Sequence, residues 1–387
     1  MSGNITVDVV IVGGGVTGLS TAKHLSQKGI DNILLIDGPE RSGSSLSPGG
    51  ISGSFLDNFT RLSVVHGVGK AGEIYDFCLK SYSKLVDFLL EHGAPVSLGR
   101  RLRLVNSLAE KREAKIARSQ LAGVGFDVTF SNKASEAAGA VIGSGILGVQ
   151  DEGNYGAWVE PEAMILALKG SCEVEVRNDL LLSLRSSPRG VRLELESGIS
   201  VNAEMVCLTC HNSIGRFASG LRDVFVPYAD QWCEFTFKGL VPELLGSFLS
   251  IGHGYQWGGF LPENRLIWGG ARFLRKNAGI GDSRARSLSK IDHYLAEEVA
   301  AHFPSLGPLE HRKSVAYSGC RPCDELPVIG PMFGDDRVLV AAGFMGTGLS
   351  LGFMAGKCLA DFVSSGSSED MCGQLLPVRF RSIKDDN

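Results

Sequence analysis

Val7-Asp-Val-Val-Ile-Val12 runs directly into Gly13-Gly-Gly15-Val-Thr-Gly18 close to the start of the sequence. The first six residues are a short β-branched run, and Leu19 to Lys28 carries helix formers up to a stop at Gly29. Strand, glycine turn and helix follow in that order. Working outward, Asn32-Ile-Leu-Leu-Ile-Asp37 reads as a second buried strand that ends in an acid, 19 residues after Gly18. Together they form a βαβ start. In Gly13-x-Gly15-x-x-Gly18 the first glycine permits a tight turn, the second lets backbone approach a pyrophosphate, and the third lets helix and strand pack closely. Phosphates would sit on the helix N-terminus, where amide donors and the helix dipole favour negative charge. Asp37 would accept hydrogen bonds from the ribose hydroxyls of the adenosine half.

A second string of the same form, Gly67-Val-Gly69-Lys-Ala-Gly72, also precedes a helix. No strand ending in an acid lies about 20 residues beyond it, so it reads as a structural turn. Near the other end, Arg337-Val-Leu-Val-Ala-Ala342 is a buried strand that runs into Gly343-Phe-Met-Gly346-Thr-Gly348 and a long helix from Leu349. Amides at that helix start would receive a second electron-rich group, such as a ring system that gains negative charge on reduction. The alternative is a glycine-rich packing contact under the first βαβ unit.

The 387 residues set a prior of two or three domains, or one large α/β unit with an inserted lobe. A hydrophobic share of 44% with 21% charged residues excludes global disorder. The formal charge of −4 without a Lys/Arg block argues against nucleic acid or an anionic membrane as partner. The 50 glycines, nearly twice the usual share of about 7%, imply many tight turns and close backbone approaches. Nine cysteines, an odd count in a long chain, read as buried or free thiols. No signal-peptide pattern precedes the first strand, so the cytoplasm is the expected compartment. The apolar stretch from Gly343 to Val363 is interrupted by Lys357 and Asp361, and is expected as a buried helix rather than a transmembrane segment.

Between these ends, helical spacing covers Gly72 to His92, Lys111 to Leu121 and Ser289 to His302. From Glu173 the pattern changes to strands: VEV, DLLLSL, VRLELE, a turn at Ser197-Gly198, and AEMVCLT. This meander resembles the antiparallel layer often inserted in large flavoproteins. Residues 227 to 272 are strand-rich and aromatic, with a hairpin in which Phe260-Leu261 and Leu266-Ile-Trp268 flank Pro262-Glu-Asn-Arg265. The last 15 or so residues look like a loose tail.

In this order the pieces resemble the D-amino-acid oxidase superfamily of FAD enzymes, nearest its glycine oxidase, sarcosine oxidase and D-amino-acid dehydrogenase branch. VDVVIVGGGVTGLSTAKHL is similar to the family's FAD fingerprint, and Gly43-Ser-Ser45 with Gly50-Ile51 to its phosphate and ring-edge loop. Arg101-Leu-Arg-Leu-Val105, the charged helix after it, Val159-Glu-Pro161, the hairpin Phe260 to Ala271, Gly319-Cys-Arg321-Pro, Pro327-Val-Ile-Gly330 and GFMGTGLSLG continue the match. The resemblance implies an α/β fold with a Rossmann-type FAD lobe (1–80, 150–218 and 318–387) and a discontinuous substrate lobe (81–149 and 219–317) with a mainly antiparallel sheet. It implies FAD contacts at Gly13, Gly15, Val16, Thr17, Gly18, Asp37, Gly43, Ser44, Ser45, Gly50, Ile51 and Leu181. Gly346, Thr347, Gly348 and Leu349 would complete them. Arg321 would bind the substrate carboxylate, since a planar guanidinium holds a carboxylate by two charge-assisted bonds.

The implied reaction is oxidation of the C–N bond of an amino acid or N-substituted amino acid, with hydride leaving the α-carbon for the flavin and the imine hydrolysing in water. With one dinucleotide fold, electrons would come from the substrate and leave to oxygen, a quinone or another diffusing carrier. The alternatives are an FAD dehydrogenase of a hydroxy acid or specialised biosynthetic amine, and an FAD-holding subunit without its own substrate.

The sequence departs from the family in three places. Members often carry a tyrosine ahead of the hairpin, where this chain has Gly258 or Gly259; this is expected to leave room for a substrate bulkier than glycine. Tyr255 and Trp257 lie nearby, either replacing that tyrosine at the substrate or serving as core aromatics, and Met345 faces either the flavin edge or the packing. The turn after the meander is Thr209-Cys-His-Asn212 rather than a small glycine-containing one. Some sarcosine oxidases attach FAD through a cysteine, but that position falls on Tyr317, so non-covalent FAD is expected, with Cys320 the remaining candidate. Cys207/Cys210 and Cys320/Cys323 have zinc-type spacing, but no metal is expected. Three-residue spacing at a strand end splits the first pair between two faces, and the second flanks Arg321.

Overall fold

The structure, a computed structural model, describes residues 3–39, 43–134, 139, 142–239 and 241–384. The chain divides into two compact units, one comprising Met1–Ser45, Glu162–Pro227 and Gly319–Asn387, the other Leu46–Pro161 and Tyr228–Ser318. Residues 46–80 and 150–161, read from sequence with the cofactor lobe, fall in the second unit.

The first unit is built on the strand Asn4–Val12. It pairs in parallel with Ile33–Asp37 on one side and Ser200–Leu208 on the other. Being covered on both faces, Val9, Val10, Ile11 and Val12 are at most 5% exposed, as the unbroken apolar run of a parallel strand requires. Helix Val16–Ser26 makes the crossover to Ile33–Asp37, which pairs onward with Glu175–Asn178. Strand Ser200–Leu208 is shared along its length: its first half pairs with Gly190–Leu195, and Val206 to Leu208 pair in parallel with Asp335–Ala342. The meander from Leu181–Ser187 to Ser200–Leu208 is therefore part of the nucleotide-fold sheet, not a separate inserted layer. Hydrophobic alternation alone does not distinguish these arrangements, because it fixes which side chains are buried and not which strand is the neighbour.

Helix Gly348–Ser365 lies along helix Val16–Ser26 with small residues at the seam. A Cβ at Gly352 would stand 2.7 Å from Thr17 Oγ1, and one at Gly356 would stand 2.6 Å from Ser20 Cβ. The Ser20 hydroxyl donates to Phe353 O at 2.7 Å. Lys357 and Asp361, which break the apolar run in sequence, pair with each other at 2.9 Å, and Asp361 also pairs with Lys28 at 2.9 Å. Among the described residues no helix is long and apolar enough to cross a membrane.

The expected loose tail is packed. Leu375 is fully buried and Phe380 is 3% exposed in the core of the first unit. Arg379 donates to Asp324 Oδ2 (2.7 Å) and Leu326 O (2.7 Å). The 3-10 segments Gly373–Leu375 and Pro377–Lys384 carry no α-helical or strand period to be read from sequence. Residues 385–387 lie outside the described residues.

The second unit holds a mainly antiparallel sheet in the order Glu310–Pro322, Phe225–Thr236, Arg265–Gly270, Gln256–Leu261, Phe248–Ile251, Arg101–Val105, Gly148–Asp151, Thr129–Ser131. The expected hairpin is present, with Leu261 opposite Arg265. A small sheet of Gly50–Ser52, Gly156–Val159 and Val96–Gly99 joins it in this unit. Helices Val68–Glu91, Leu108–Gly123 and Ser289–His302 match the helical spacing of the sequence. Gly67, at φ 81, links Phe59–His66 to Val68–Glu91, so the second glycine string follows a helix rather than a strand and is a structural turn.

Candidate functional site

The first glycine turn is held by its neighbours on all sides. Gly13 adopts φ +108, and a Cβ there would stand 2.6 Å from Thr209 O. Its amide donates to Ile36 O at 2.8 Å. The Gly14 amide donates to Asp37 Oδ1 at 2.9 Å, and a Cβ on Gly14 would lie 2.7 Å from the Asp37 carboxylate. A Cβ on Gly18 would collide with Gly13 O. Gly15 is the N-cap of helix Val16–Ser26 and offers no side chain to its first turn. Backbone amides, rather than side chains, face whatever binds there. Val16 and Thr17 are 1% and 7% exposed, turned into the helix seam, so only their backbone can serve a ligand.

Thr209 is a contributor that sequence reading did not identify. Its Oγ1 lies 2.9 Å from both Val12 O and Gly13 O, and its amide donates to Val12 O at 2.8 Å. The turn that departs from the family pattern therefore fastens the glycine loop by a hydroxyl. Gly43 opens the 3-10 turn Gly43–Leu46, and its Cβ position is 3.6 Å from His211. The side chains of Ser44 and Ser45 lie outside the described residues. Leu181 is 6% exposed in the core, while its neighbour Leu180, 39% exposed, covers Gly38 beside Asp37.

At the second turn, Met345 and Gly346 follow one another at φ 51 and φ 86. A left-handed methionine is a strained backbone position of the kind found at ligand sites. Thr347 caps helix Gly348–Ser365, but its hydroxyl donates to Phe344 O at 2.7 Å rather than to the first turn. The first-turn amides thus have no side-chain cap, and a Cβ at Gly348 would meet nothing closer than 3.8 Å. Thr347 and Leu349 point inward at 4% and 5% exposure.

Arg321 belongs to the same unit. It sits near the end of strand Glu310–Pro322, and a Cβ on Gly343, which opens the second turn, would collide with Pro322. Its guanidinium, partly exposed, pairs with Glu325, which is 52% exposed at φ 62. The Arg379–Asp324 bonds brace the loop between them.

In the second unit Gly50 and Ile51 lie on a strand against Trp158 and Ala157. Ile51 is 1% exposed, so its side chain is packed. Gly258 and Gly259 do not leave room, contrary to the expectation from sequence. A Cβ at Gly258 would collide with Ile267 O and the Trp268 ring, and one at Gly259 would stand 2.5 Å from Trp158 Nε1. These glycines are needed for close strand and indole packing. Trp257, 5% exposed, is stacked on Phe248 at 8° and 6.4 Å, which is the core-aromatic alternative. Tyr255 precedes the strand and is 42% exposed, so the two do not share surroundings. Tyr317 donates to Asp230 Oδ2 at 3.2 Å.

All nine cysteines are free. Cys320 is 3% exposed, and burial pushes its thiol up to about 12, far from a reactive thiolate. The metal-ligand types that the fold gathers among the described residues are Cys233, Asp292 and His311, none of them in a Cys-x-x-Cys pair. There the Cys233 thiol donates to Asp292 Oδ1 at 3.1 Å.

A sheet with a parallel core, and two glycine turns opening two mutually packed helices, define a Rossmann-type dinucleotide-binding unit. The whole sequence then gives the family: the chain belongs to the DAO family of FAD-dependent oxidoreductases, whose model it matches over residues 8–362. Comparison with curated protein sequences gives no match. Its fold is similar to that of glycine oxidase from Geobacillus kaustophilus (18% identity, TM-score 0.79, 97% of this chain and 99% of that one). It is also similar to L-proline dehydrogenase from P. horikoshii (14%, 0.78, 98% and 99%) and to iminodiacetate oxidase from Chelativorans sp. BNC1 (17%, 0.72, 95% and 98%). The residues present fit FAD, because both turns offer helix-start amides without side-chain caps and Asp37 is held beside the first.

Proposed function

We propose that this enzyme oxidises the C–N bond of an amino acid or N-substituted amino acid, with non-covalent FAD. FAD, when bound, supplies the two-electron acceptor. The amides of Gly15 to Gly18 would take the pyrophosphate and Asp37 the ribose, with Gly13 shaping the turn beneath them. Gly43 to Ser45, Gly50, Ile51 and Leu181 would lie along the cofactor. The helix-start amides at Gly346 to Leu349 would stabilise negative charge on the ring, with Met345 at its edge. The buried Cys320 thiol, held in its neutral form, supports non-covalent binding.

The observation that carries the reading is Arg321, whose neighbour Pro322 is packed on Gly343 at the second glycine turn. A guanidinium fixed there binds the substrate carboxylate by two parallel bonds and orients the α-carbon. The substrate carboxylate takes the place that the Glu325 carboxylate occupies in the structure. The α-hydrogen leaves with its electron pair, the neutral amine becomes an imine, and water hydrolyses the imine to a carbonyl and an amine. No side chain of the chain is required as a strong base.

The test is anaerobic addition of glycine, sarcosine, proline and other D- and L-amino acids to the purified FAD-loaded protein, read at the oxidised flavin band. Bleaching by one member supports amine oxidation, and readmitting air separates an oxidase from a dehydrogenase. Absence of bleaching by every member refutes the reading. Arg321→Lys should lower kcat/KM on the order of a hundredfold with FAD still bound, because one point charge cannot reproduce the fork.

A further inference from the structure

Within the second unit, three side chains of metal-ligand type converge from three different elements. Cys233 comes from strand Phe225–Thr236, His311 from its neighbour Glu310–Pro322, and Asp292 from the first turn of helix Ser289–His302. The Cys233 sulfur, an Asp292 carboxylate oxygen and a His311 ring nitrogen all lie within 4.8 Å of one another. The long gaps between them in the chain give no sequence signature, unlike the two Cys-x-x-Cys pairs.

Hydrogen bonds within the cluster are crowded onto one atom. Asp292 Oδ1 accepts from the Cys233 thiol at 3.1 Å, from the Ser314 hydroxyl at 2.8 Å and from Gln231 Nε2. A carboxylate oxygen has about two lone-pair sites, and a thiol is the weakest of these donors. The proton on Cys233 is therefore the one most readily exchanged for a cation. A tetrahedral zinc ion holds sulfur at about 2.3 Å and nitrogen or oxygen at about 2.0–2.2 Å, so its ligand atoms stand about 3.3–3.6 Å apart. The Cys233–Asp292 pair is already near that separation, and the exposed His311 ring is free to close the remainder by rotation.

The surroundings have the other features of a metal site. Gln231 is fully buried, and its Oε1 accepts from Arg275 Nη2 and the Leu288 amide, both at 2.9 Å, so the amide that donates to Asp292 is fixed in place. The Ser314 hydroxyl also lies 2.8 Å from His311 Nε2 and 3.6 Å from Cys233 Sγ. Outer bonds of this kind orient the ligands. Thiolate and carboxylate together balance a divalent ion, which lets it sit against the fully buried Cys233 without net charge. One sulfur and one imidazole select zinc over magnesium or calcium. His311 faces solvent and gives the ion a way in.

We propose that Cys233, Asp292 and His311 bind one Zn(II), with solvent water as the fourth ligand. The ion pins the start of helix Ser289–His302 to the two strands. Binding replaces the Cys233 thiol proton by the metal and releases that proton to solvent. The site does not depend on Arg321 or on the identity of the oxidised substrate.

The experiment uses the untagged, FAD-loaded protein, stripped of metal with dipicolinate and titrated with Zn(II) by calorimetry in two buffers of different ionisation enthalpy. One zinc should bind per chain with a micromolar or lower Kd, releasing about one proton at pH 7, and Tm should rise by several degrees. X-ray absorption at the zinc edge should show one sulfur at about 2.3 Å with nitrogen and oxygen at about 2.0–2.2 Å. His311→Ala and Cys233→Ala should each weaken binding by about a hundredfold or more, beyond the roughly 10–100-fold loss typical of removing an outer hydrogen bond. His311 is exposed, so its variant carries the test should Cys233→Ala fail to fold. Cys323→Ser removes an exposed thiol outside the cluster and should leave binding unchanged. Absence of zinc binding overturns the inference, and so does a zinc spectrum without sulfur. Binding that survives His311→Ala, or that is lost in Cys323→Ser, places the ion elsewhere and overturns it as well.

Discussion

Gly356→Ala is a one-carbon change whose effect should reach both glycine turns. The new Cβ would lie 2.6 Å from Ser20 Cβ and 2.7 Å from Thr17 O, so helices Val16–Ser26 and Gly348–Ser365 must move apart where they touch. Overpacking of this kind costs about 1–3 kcal/mol. Separation also stretches the Ser20–Phe353 hydrogen bond, worth about 1 kcal/mol. Alanine's better helix propensity returns about 1 kcal/mol. The net loss is about 1–3 kcal/mol, or several degrees in Tm at about 2–4 °C per kcal/mol. Because each helix begins at a glycine turn, FAD affinity should fall with it. The assay is thermal release of flavin fluorescence, together with FAD titration of the apoprotein. Gly69→Ala is the control, since a Cβ there meets nothing within 4 Å. If Gly356→Ala matched Gly69→Ala in both Tm and FAD affinity, the seam would not set the spacing of the turns.

Glu325→Ala removes an exposed competitor for the Arg321 guanidinium; such pairs are worth up to about 1 kcal/mol, so KM for an acid substrate should fall by up to about fivefold with kcat unchanged. Arg379→Met breaks the bonds to Asp324 and Leu326; the expected loss is about 2–3 kcal/mol, measured by urea unfolding, with a rise in KM because the Arg321 loop loses its brace. The Asp230 carboxyl is raised to about 6 by burial, so the native state binds the extra proton. Its contribution is fully present below about pH 4 and is lost as pH rises through about 6. Urea midpoints measured at pH 4.5 and 7 should show this fall in the wild type, and its absence in Asp230→Asn.

The first βαβ unit was legible because several local signals agree there: a β-branched run, three spaced glycines, helix formers and a strand ending in Asp37. Arg321 was singled out by its motif, and the structure sets it on the strand whose Pro322 packs on Gly343. What escaped sequence reading depended on partners distant in the chain. Thr209 acts on Val12 and Gly13 from 196 or more residues away. Glycine proved ambiguous in a specific way. At Gly258 and Gly259 the lack of a side chain reads equally as vacant space or as close backbone contact, and only the packed Trp158 and Trp268 rings decide for contact. The tail escaped because Leu375 and Phe380 lie in 3-10 segments with no α-helical or strand period.

The helix seam also orders events during synthesis. Ser20 finds its hydrogen-bond partner 333 residues later, at Phe353, and the strand beside Val12 is Ser200–Leu208. The glycine turn leaves the ribosome well before the surfaces that shape it. Flavin loading is accordingly a late step, and a stalled nascent chain would expose an apolar strand and a half-covered helix to chaperones before it could hold its cofactor.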